Sequence, residues 1–407
     1  MRSTSRWWRA AATLGCVALA ACSTTVPEQA REPATMVSAA TDVAAGTVAT
    51  DVATTEVAAA AVATEAPTSP PTPTLAPVTP TEPVPPTSAP TETVAPTTPP
   101  TPTAAPSPTV PPTPTSDPWA AYAPYTVEGL RAREFGAGQI EIVRVLEETP
   151  AFTRYLFAYP SDELRITGML NRPKGDGPFP VVILNHGYYP LDVYQTGNGT
   201  RLAADYLAAR GFLTLSPDFR SHAESDDAPN PFRAGHVIDV LNVIPLAQRL
   251  PEAQPGKVGM WGHSNGGAIT SKAMVISDQI AAAVIYAPAS SNIVEDYWFR
   301  VERSRSRGAE IDRVDWPVAP EEAPDLYQRL SPLPYLDRVE APVLIHWGTA
   351  DDVVPLKWPD DLRSGLEAAG KQVRMEVYEG QPHSFTGASN GLYLERTVEF
   401  YGQHLRP

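Results

Sequence analysis

Cysteine is nearly absent from this 407-residue sequence, which has only Cys16 and Cys22, both close to the N-terminus. The rest of the chain can therefore form neither a disulfide nor a thiolate metal site. Basic residues are also scarce, with no Lys or Arg between Arg31 and Arg131. Residues 119–407 hold 27 basic and 37 acidic side chains, a net charge of −10. Because phosphate binding needs a cationic surface, this balance argues against nucleic acid as a partner.

The apolar run at the N-terminus is too short to span a membrane. Ala10–Ala21 has 12 residues, whereas a helix needs about 20 to cross a bilayer. The run follows three arginines and ends in Leu19-Ala20-Ala21-Cys22, a pattern that resembles the bacterial lipoprotein signal. We expect residues 1–21 to be removed and Cys22 to be lipidated, which would anchor the protein to a bacterial membrane outside the cytoplasm. The alternative is an ordinary secretory signal or a short anchor helix.

Proline is abundant, but mainly in one segment. Of the 46 prolines, 20 lie in residues 66–118, together with 15 threonines. This composition cannot bury enough apolar surface to offset the entropy of ordering, so we expect a disordered linker over residues 22–118. The linker would be an extended stalk between the lipid anchor and one folded domain at residues 119–407. A proline-rich ligand for a binding module is the alternative.

Strand and helix patterns alternate through residues 119–407. The alternation predicts an α/β fold with a mostly parallel central sheet and helices on both faces. In such sheets, ligands bind at the carboxyl ends of the strands. The predicted strands are 152–159, 164–171, 180–185, 212–216, 257–262, 280–286, 342–347 and 373–378, and the predicted helices are 202–210, 237–250, 266–276, 360–369 and 392–404.

A candidate nucleophile lies between a predicted strand and a predicted helix. Gly262-His263-Ser264-Asn265-Gly266 fits the G-x-S-x-G pattern of the nucleophile elbow. The sharp turn at Ser264 leaves no room for side chains two residues away, which explains Gly262 and Gly266. The helix that follows directs its first amides toward the reacting oxygen, so the Asn265 N–H is a candidate oxyanion donor.

A serine nucleophile needs a base and an acid that orients the base. In the α/β-hydrolases, whose nucleophile elbow this segment resembles, the chain order is serine, acid, histidine. Of the seven histidines, only His383 follows the serine and lies in a loop at a strand end. The preceding strand-end loop contains Asp351 and Asp352. We favour Asp351 as the acid because Asp351-Asp352-Val353-Val354-Pro355 resembles the D-x-x-V-P ending of many α/β-hydrolases, in which the first Asp is catalytic.

A second oxyanion donor is expected after the early central strand. That strand leads into Asn185-His186-Gly187-Tyr188-Tyr189, where Gly187 permits close approach of the backbone. We predict the Tyr188 N–H as this donor. The rival donors are the Tyr189 N–H and a tyrosine hydroxyl, and both tyrosines could instead simply pack around the cleft.

Four segments together resemble the catalytic domain of the prolyl oligopeptidase family of α/β-hydrolases. The segments are His186–Tyr188, Ser216–His222, Gly259–Gly267 and Ser331–Pro355, and the resemblance extends from about Leu164 to the C-terminus. It implies an α/β-hydrolase fold and a serine peptidase or related esterase with Ser264, Asp351 and His383 as the triad. The family's D-x-R-G-x-G pattern is altered here to Asp218-Phe219-Arg220-Ser221-His222-Ala223, so we expect a loop of different shape in which Asp218 and Arg220 can still pair.

A small helical lid is expected at about residues 291–340, between two core strands. Its aromatic residues, Tyr297-Trp298-Phe299 and Trp316, either line a substrate pocket or pack the lid onto the core. Its arginines, 300, 303, 305 and 307, are typical of a solvated helix face, with binding of a substrate carboxylate as the alternative.

The sequence thus predicts a membrane-anchored extracytoplasmic serine hydrolase that cleaves peptide or ester bonds in small substrates. A carboxylesterase acting on small esters is the alternative, and a non-catalytic surface-binding lipoprotein is a further one. No cluster of His, Asp or Glu shows metal-ligand spacing, so we expect no metal or organic cofactor. Nothing in the sequence indicates an oligomeric state.

Overall fold

The computed structural model describes residues 117–406, so the predicted signal peptide, Cys22 and nearly all of the predicted linker lie outside the described residues. The described part contains nine strands and eight α-helices. The strands are β1 Glu141–Glu148, β2 Phe152–Ser161, β3 Leu164–Pro173, β4 Val181–Asn185, β5 Leu213–Pro217, β6 Val258–His263, β7 Ile280–Tyr286, β8 Val343–Gly348 and β9 Val373–Tyr378. The helices are α1 Val127–Arg131, α2 Arg201–Ala208, α3 Ala234–Gln248, α4 Asn265–Ile276, α5 Ile293–Arg305, α6 Pro324–Leu330, α7 Lys357–Ala368 and α8 Gly387–Leu405.

All nine strands form one sheet in the order β1-β2-β3-β5-β4-β6-β7-β8-β9. The pairings among β4 to β9 are parallel, and those of β1 with β2, β2 with β3 and β3 with β5 are antiparallel. The predicted α/β fold with a mostly parallel sheet is therefore confirmed. The carboxyl ends of the parallel strands meet along one edge of the sheet, where the predicted site residues lie.

Helices cover both faces of the sheet because the central strands direct apolar side chains to both faces. On one face, Val258 and Met260 of β6 belong to a core shared with α3, α4 and α7. On the other face, Trp261 of β6 belongs to a core shared with α2 and α8. Both faces of β6 are buried, so the strand and the turn that follows it are held firmly.

The strand that the sequence analysis missed is β1, at the edge of the sheet. Its residues, Glu141–Glu148, are almost all exposed, so it lacks the buried face that makes a strand recognisable. The predicted helix at 237–250 begins three residues earlier, at Ala234, and keeps Pro245 inside it. The other predicted strands and helices are observed with boundaries shifted by a few residues.

The segment between β7 and β8 contains α5, α6 and a 3₁₀ helix at Leu333–Arg338. Its aromatic residues have separate positions. Tyr297 and Trp316 are buried in a small core with Phe232, whereas Trp298 is 42% exposed. This core fixes α5 above the carboxyl ends of the strands.

Residues 117–406 include no helix that is both long enough and apolar enough to cross a bilayer.

Helix α4 contains a buried lysine with little to hold its charge. Lys272 is 5% exposed, and its ammonium makes one long hydrogen bond, 3.4 Å to the Tyr125 carbonyl. Burial lowers the pKa of Lys272 to about 7. The folded state therefore binds this proton more weakly than the unfolded state does, and stability rises with pH from about 7 to the ordinary lysine value.

We expect Lys272→Met to stabilise the protein by an amount on the order of a few kcal/mol at pH 6, where the wild-type chain must bury a cation. The gain should shrink as the pH is raised toward about 10, because the unfolded lysine then loses its proton too. Thermal unfolding at several pH values measures this difference. Lys257→Met is the matched control, since that side chain is 42% exposed and pairs with Glu340. An unchanged or lower melting temperature for Lys272→Met at pH 6 would contradict this explanation.

Candidate active site

Ser264 occupies the sharp turn between β6 and α4. Its backbone has φ 57° and ψ −120°, a conformation that a residue with a side chain adopts only when its surroundings impose it. The Ser264 amide donates to the Tyr286 carbonyl at 2.9 Å, and the Ser264 carbonyl accepts from the Gly267 and Ala289 amides, each at 2.9 Å. These bonds fix the turn to the neighbouring strand and its loop, and so fix the position of the hydroxyl.

The two glycines of the elbow are required by close packing. A Cβ on Gly266 would lie 2.0 Å from the carbonyl oxygen of Asn185, and one on Gly262 would lie 2.2 Å from the carbonyl oxygen of Gly266. Both distances are far below any van der Waals contact, and the atoms met are backbone atoms. The predicted reason for these glycines therefore agrees with the geometry of the turn.

The structure brings His383 and Asp351 together at the ends of β9 and β8. His383 Nδ1 lies 2.9 Å from Asp351 Oδ2. A carboxylate can only accept a hydrogen bond, so Nδ1 carries the hydrogen and Nε2 is left as the basic nitrogen. Asp352 is exposed and makes no hydrogen bond to His383.

Asp351 is held as an anion. Burial alone would raise its pKa, but the hydrogen bond from His383 and those from two backbone amides outweigh burial and lower it. The amides are those of Val354 and Val353, at 2.8 and 2.9 Å from Oδ1. All the hydrogen bonds that Asp351 accepts favour its charged form, which in turn orients the imidazole of His383.

Two hydrogen bonds hold the acid loop and the base loop against each other. The Ala350 amide donates to the Gln381 carbonyl at 3.0 Å, and the Gly380 amide donates to Thr349 Oγ1 at 2.8 Å. A further contact, not anticipated from the sequence, joins the base loop to the end of β6. His263 Nε2 lies 3.0 Å from the His383 carbonyl oxygen. Burial lowers the pKa of His263 to about 4, so this ring is neutral and donates its hydrogen to that carbonyl.

Ser264 and His383 line one cavity of about 730 Å³. Within residues 117–406 the Ser264 hydroxyl makes no hydrogen bond, including none to His383. In substrate-free enzymes the bond between nucleophile and base is often long and tightens only when substrate binds. The structure therefore places the three predicted triad residues at one site, with the acid–base bond formed.

The two predicted oxyanion amides flank Ser264. Asn265 is the first residue of α4, so its N–H has no acceptor inside the helix. Gly187 lies against Ser264, since a Cβ on Gly187 would be 3.3 Å from the serine Cβ, and Tyr188 is the next residue. Among the described residues, neither the Asn265 nor the Tyr188 amide has a hydrogen-bond acceptor, so both are available to a substrate oxygen.

The loop of the predicted oxyanion donor is held by His186. This ring is 1% exposed and stacks on Phe219 with 4.3 Å between ring centroids. Its nitrogens lie 2.7 Å from the Gly187 carbonyl oxygen and 3.0 Å from the Asp218 carbonyl oxygen. His186 therefore connects the loop after β4 to the loop after β5.

Asp218 and Arg220, which the sequence allows to pair, do not pair with each other. Arg220 forms its ion pair with Asp239, at 2.8 Å. The Asp218 carboxyl instead accepts hydrogen bonds from Thr167, Tyr194 and Thr196. These neutral donors only partly offset burial, which raises the pKa of Asp218 to about 6.

One feature of the cavity was missed by sequence reasoning. The guanidinium groups of Arg233 and Arg300 both donate to the side-chain oxygen of Asn265, at 2.8 and 3.1 Å. Arg233 precedes α3 in the chain and has no sequence signal that connects it with the elbow. Arg300 belongs to the arginine run that we interpreted as a solvated helix face. That interpretation holds for Arg305, whose side chain is 72% exposed, but not for Arg300, at 16%. No group of three or more potential metal ligands occurs among the residues the structure describes.

This sheet, with its elbow at the end of β6, is the α/β-hydrolase fold. Acetyl xylan esterase 1 from Thermoanaerobacterium sp. JW/SL YS485 has a similar structure, with a TM-score of 0.53 and 18% identity over 69% of this chain and 93% of that one. The acylaminoacyl peptidase of Pyrococcus horikoshii is also similar, with a TM-score of 0.51 and 22% identity over 64% of this chain and 43% of that one.

Sequence comparison identifies the family within that fold. Residues 200–407 match the profile of the prolyl oligopeptidase family, and the chain belongs to this family. One curated relative is the uncharacterized peptidase YtmA of Bacillus subtilis, 22% identical over 60% of this chain and 92% of YtmA. The protein is a serine hydrolase, as the sequence resemblance predicted.

Proposed function

We propose that the protein hydrolyses peptide or ester bonds with a triad of Ser264, His383 and Asp351. The observation that carries the proposal is the hydrogen bond of 2.9 Å between His383 Nδ1 and Asp351 Oδ2, at a cavity that also contains Ser264. Asp351 orients the imidazole so that Nε2 is the free base. The turn at the end of β6 presents the serine hydroxyl to the same cavity.

In the proposed reaction, Ser264 Oγ attacks the substrate carbonyl and His383 takes its proton. The Asn265 and Tyr188 amides bind the oxyanion that forms. His383 then gives the proton to the leaving group, and an acyl group remains on Ser264. Water, activated by His383, attacks this acyl-enzyme and regenerates the serine. Asp351 stabilises the charged imidazole in both steps.

Amide and ester cleavage use the same residues, so the proposal covers both bonds and an experiment separates them. Steady-state rates on a proline-containing dipeptide amide and on short-chain aryl esters show which bond is hydrolysed. We expect turnover of at least one substrate class. Turnover of esters alone would make the protein a carboxylesterase. No turnover of either would favour a binding lipoprotein with an unused hydrolase fold.

We further propose that the protein is lipidated on Cys22 and held outside the cytoplasm of a bacterium. Support comes from the sequence: three arginines, a short apolar run and the four-residue segment that ends in Cys22. Residues 23–118 would then be the stalk between this anchor and the hydrolase domain.

In a bacterial host, Cys22→Ala should reduce the amount of full-length protein in the membrane fraction, because the acyl chains supply the membrane affinity. The variant should instead be found as an unacylated precursor or soluble form. Fractionation and metabolic labelling with a fatty acid measure the change. Cys16→Ala is the control, since Cys16 would leave with the signal peptide. Unchanged acylation of Cys22→Ala would contradict the proposal.

A further inference from the structure

Two arginines contact the residue that follows the proposed nucleophile, and only one of them has a carboxylate partner among the described residues. Arg300 pairs with Asp296, with 2.9 Å between Nε and Oδ2. Arg233 has no carboxylate oxygen within 4.0 Å in the part of the chain that the structure describes, and its Nε is buried without an acceptor. Both guanidinium groups donate hydrogen bonds to the same neutral acceptor, the side-chain oxygen of Asn265. An amide oxygen is a weaker acceptor for two cations than a carboxylate would be.

The structure holds Arg233 in this position at a cost. Phe232 and Arg233 both have left-handed backbone conformations, with φ of 49° and 63°, which are unfavourable for residues with side chains. Packing imposes them: Phe232 is fully buried, and its amide donates to the Asp315 carbonyl at 2.7 Å. Arg233 is thereby presented to the cavity with little freedom to move.

Burial and the neighbouring charge of Arg300 both disfavour the protonated form of Arg233. Burial, together with the charge of Arg300, lowers the pKa of Arg233 to about 10. Arg233 therefore remains charged at neutral pH, but it would gain from an anion at this place. Both arginines line the cavity that contains Ser264.

We propose that Arg233 and Arg300 form a carboxylate-binding subsite, and that the enzyme selects substrates with a carboxylate close to the scissile carbonyl. The inference rests on the proposed function. The backbone N–H of Asn265 is one of the two proposed oxyanion donors, and the side-chain oxygen of the same residue contacts both arginines. In this proposal, the substrate carboxylate and the oxyanion are separated by about the length of the Asn265 side chain.

The lining of the cavity carries charges of both signs. Four aspartates line the cavity, at positions 227, 296, 312 and 315, together with five arginines, at positions 220, 233, 300, 303 and 307. Asp296 is 4% exposed and one of its oxygens has no partner among the described residues. Of the two proposed subsite arginines, Arg233 is the one without a carboxylate within 4.0 Å among the described residues, so a substrate carboxylate would supply the partner that it lacks.

Matched ester pairs test the subsite. The first pair places the charge in the acyl part: the 4-nitrophenyl half-ester of glutaric acid and its carboxamide counterpart, with the uncatalysed rate subtracted. The second places it in the leaving group: the acetate esters of 3-hydroxybenzoate and 3-hydroxybenzamide. We expect at least one carboxylate ester to exceed its carboxamide in kcat/KM by about tenfold to a hundredfold, mainly through KM. The pair that shows the preference identifies the side of the scissile bond.

Arg233→Gln and Arg300→Gln should each reduce the ratio of kcat/KM between carboxylate and carboxamide esters toward one. Arg305→Gln should keep the wild-type ratio, because Arg305 lies on the same helix as Arg300 but is exposed. A purely structural role of the arginines would lower the rates of both esters equally and leave the ratio unchanged. Inhibition of the wild-type enzyme by glutarate, compared with glutaramide, tests the same subsite without any variant. Equal rates within both pairs, together with equal inhibition, would overturn the subsite. Failure to hydrolyse any ester or peptide would instead overturn the proposed function.

Discussion

Ser264→Ala should lower kcat/KM on any substrate of the wild-type enzyme by about 10⁴-fold or more, because the attacking oxygen is removed. The residual rate would come from the oxyanion amides and from substrate binding alone. Steady-state kinetics with active-site titration of the wild-type enzyme measures the loss.

The Ser264→Ala substitution should not affect folding, so a loss of activity can be assigned to the missing hydroxyl. The hydroxyl of Ser264 makes no hydrogen bond within residues 117–406, and alanine meets the same backbone conformation at φ 57° as serine does. The melting temperature of the variant should therefore match that of the wild-type protein. Ser290→Ala is a control on a nearby loop serine, whose hydroxyl bonds to Glu295. Activity retained in Ser264→Ala would disprove the assignment of the nucleophile.

Asp351→Asn should lower kcat by about 10³- to 10⁴-fold, with little change in KM. An asparagine side chain can donate to His383 Nδ1 and so favour the tautomer that has its hydrogen on Nε2, where it cannot accept the serine proton. The substitution also removes the anion that stabilises the charged imidazole. The pH dependence of kcat in Asp351→Asn, compared with the wild-type enzyme, shows whether the base itself is affected.

Asp352→Asn is the matched control, since it makes the same chemical change one residue away at an exposed position. It should keep kcat/KM within about twofold of the wild-type value. If Asp352→Asn were as damaging as Asp351→Asn, the assignment of the acid from geometry would be incorrect.

The buried parallel strands were predictable because their sequences carry a strong signal. Runs such as Val181–Asn185 are apolar on both faces and are bounded by turns. The edge strand β1 has charged residues and an exposed face, so its pairing with β2 is set by tertiary structure and not by its own composition. The strands were therefore easiest to predict from the sequence where they are most buried.

The placement of Ser264, Asp351 and His383 could be anticipated for a related reason. Each lies just after a parallel strand, and the carboxyl ends of such strands meet at one edge. The choice between Asp351 and Asp352 rested on the motif in the sequence, whereas the structure shows which carboxylate contacts the histidine.

The surroundings of these residues could not be predicted in the same way. Arg233 approaches Asn265 from 32 positions away in the chain, through a left-handed turn that ordinary sequence patterns do not indicate. His263 precedes the serine in the chain and is not an expected base, yet its ring bonds to the backbone of the His383 loop. Such contacts depend on which loops are neighbours in space, and no local periodicity reports this.

The central claim is that Ser264 is the activated nucleophile of a serine hydrolase. Its most direct test is to label the purified protein with a fluorophosphonate probe and map the modified peptide by mass spectrometry. We predict one phosphonylated residue, Ser264, with labelling that slows when Asp351 is replaced by Asn and disappears in Ser264→Ala. Absence of labelling in the wild-type protein, or equal labelling of Ser264→Ala, would contradict the claim.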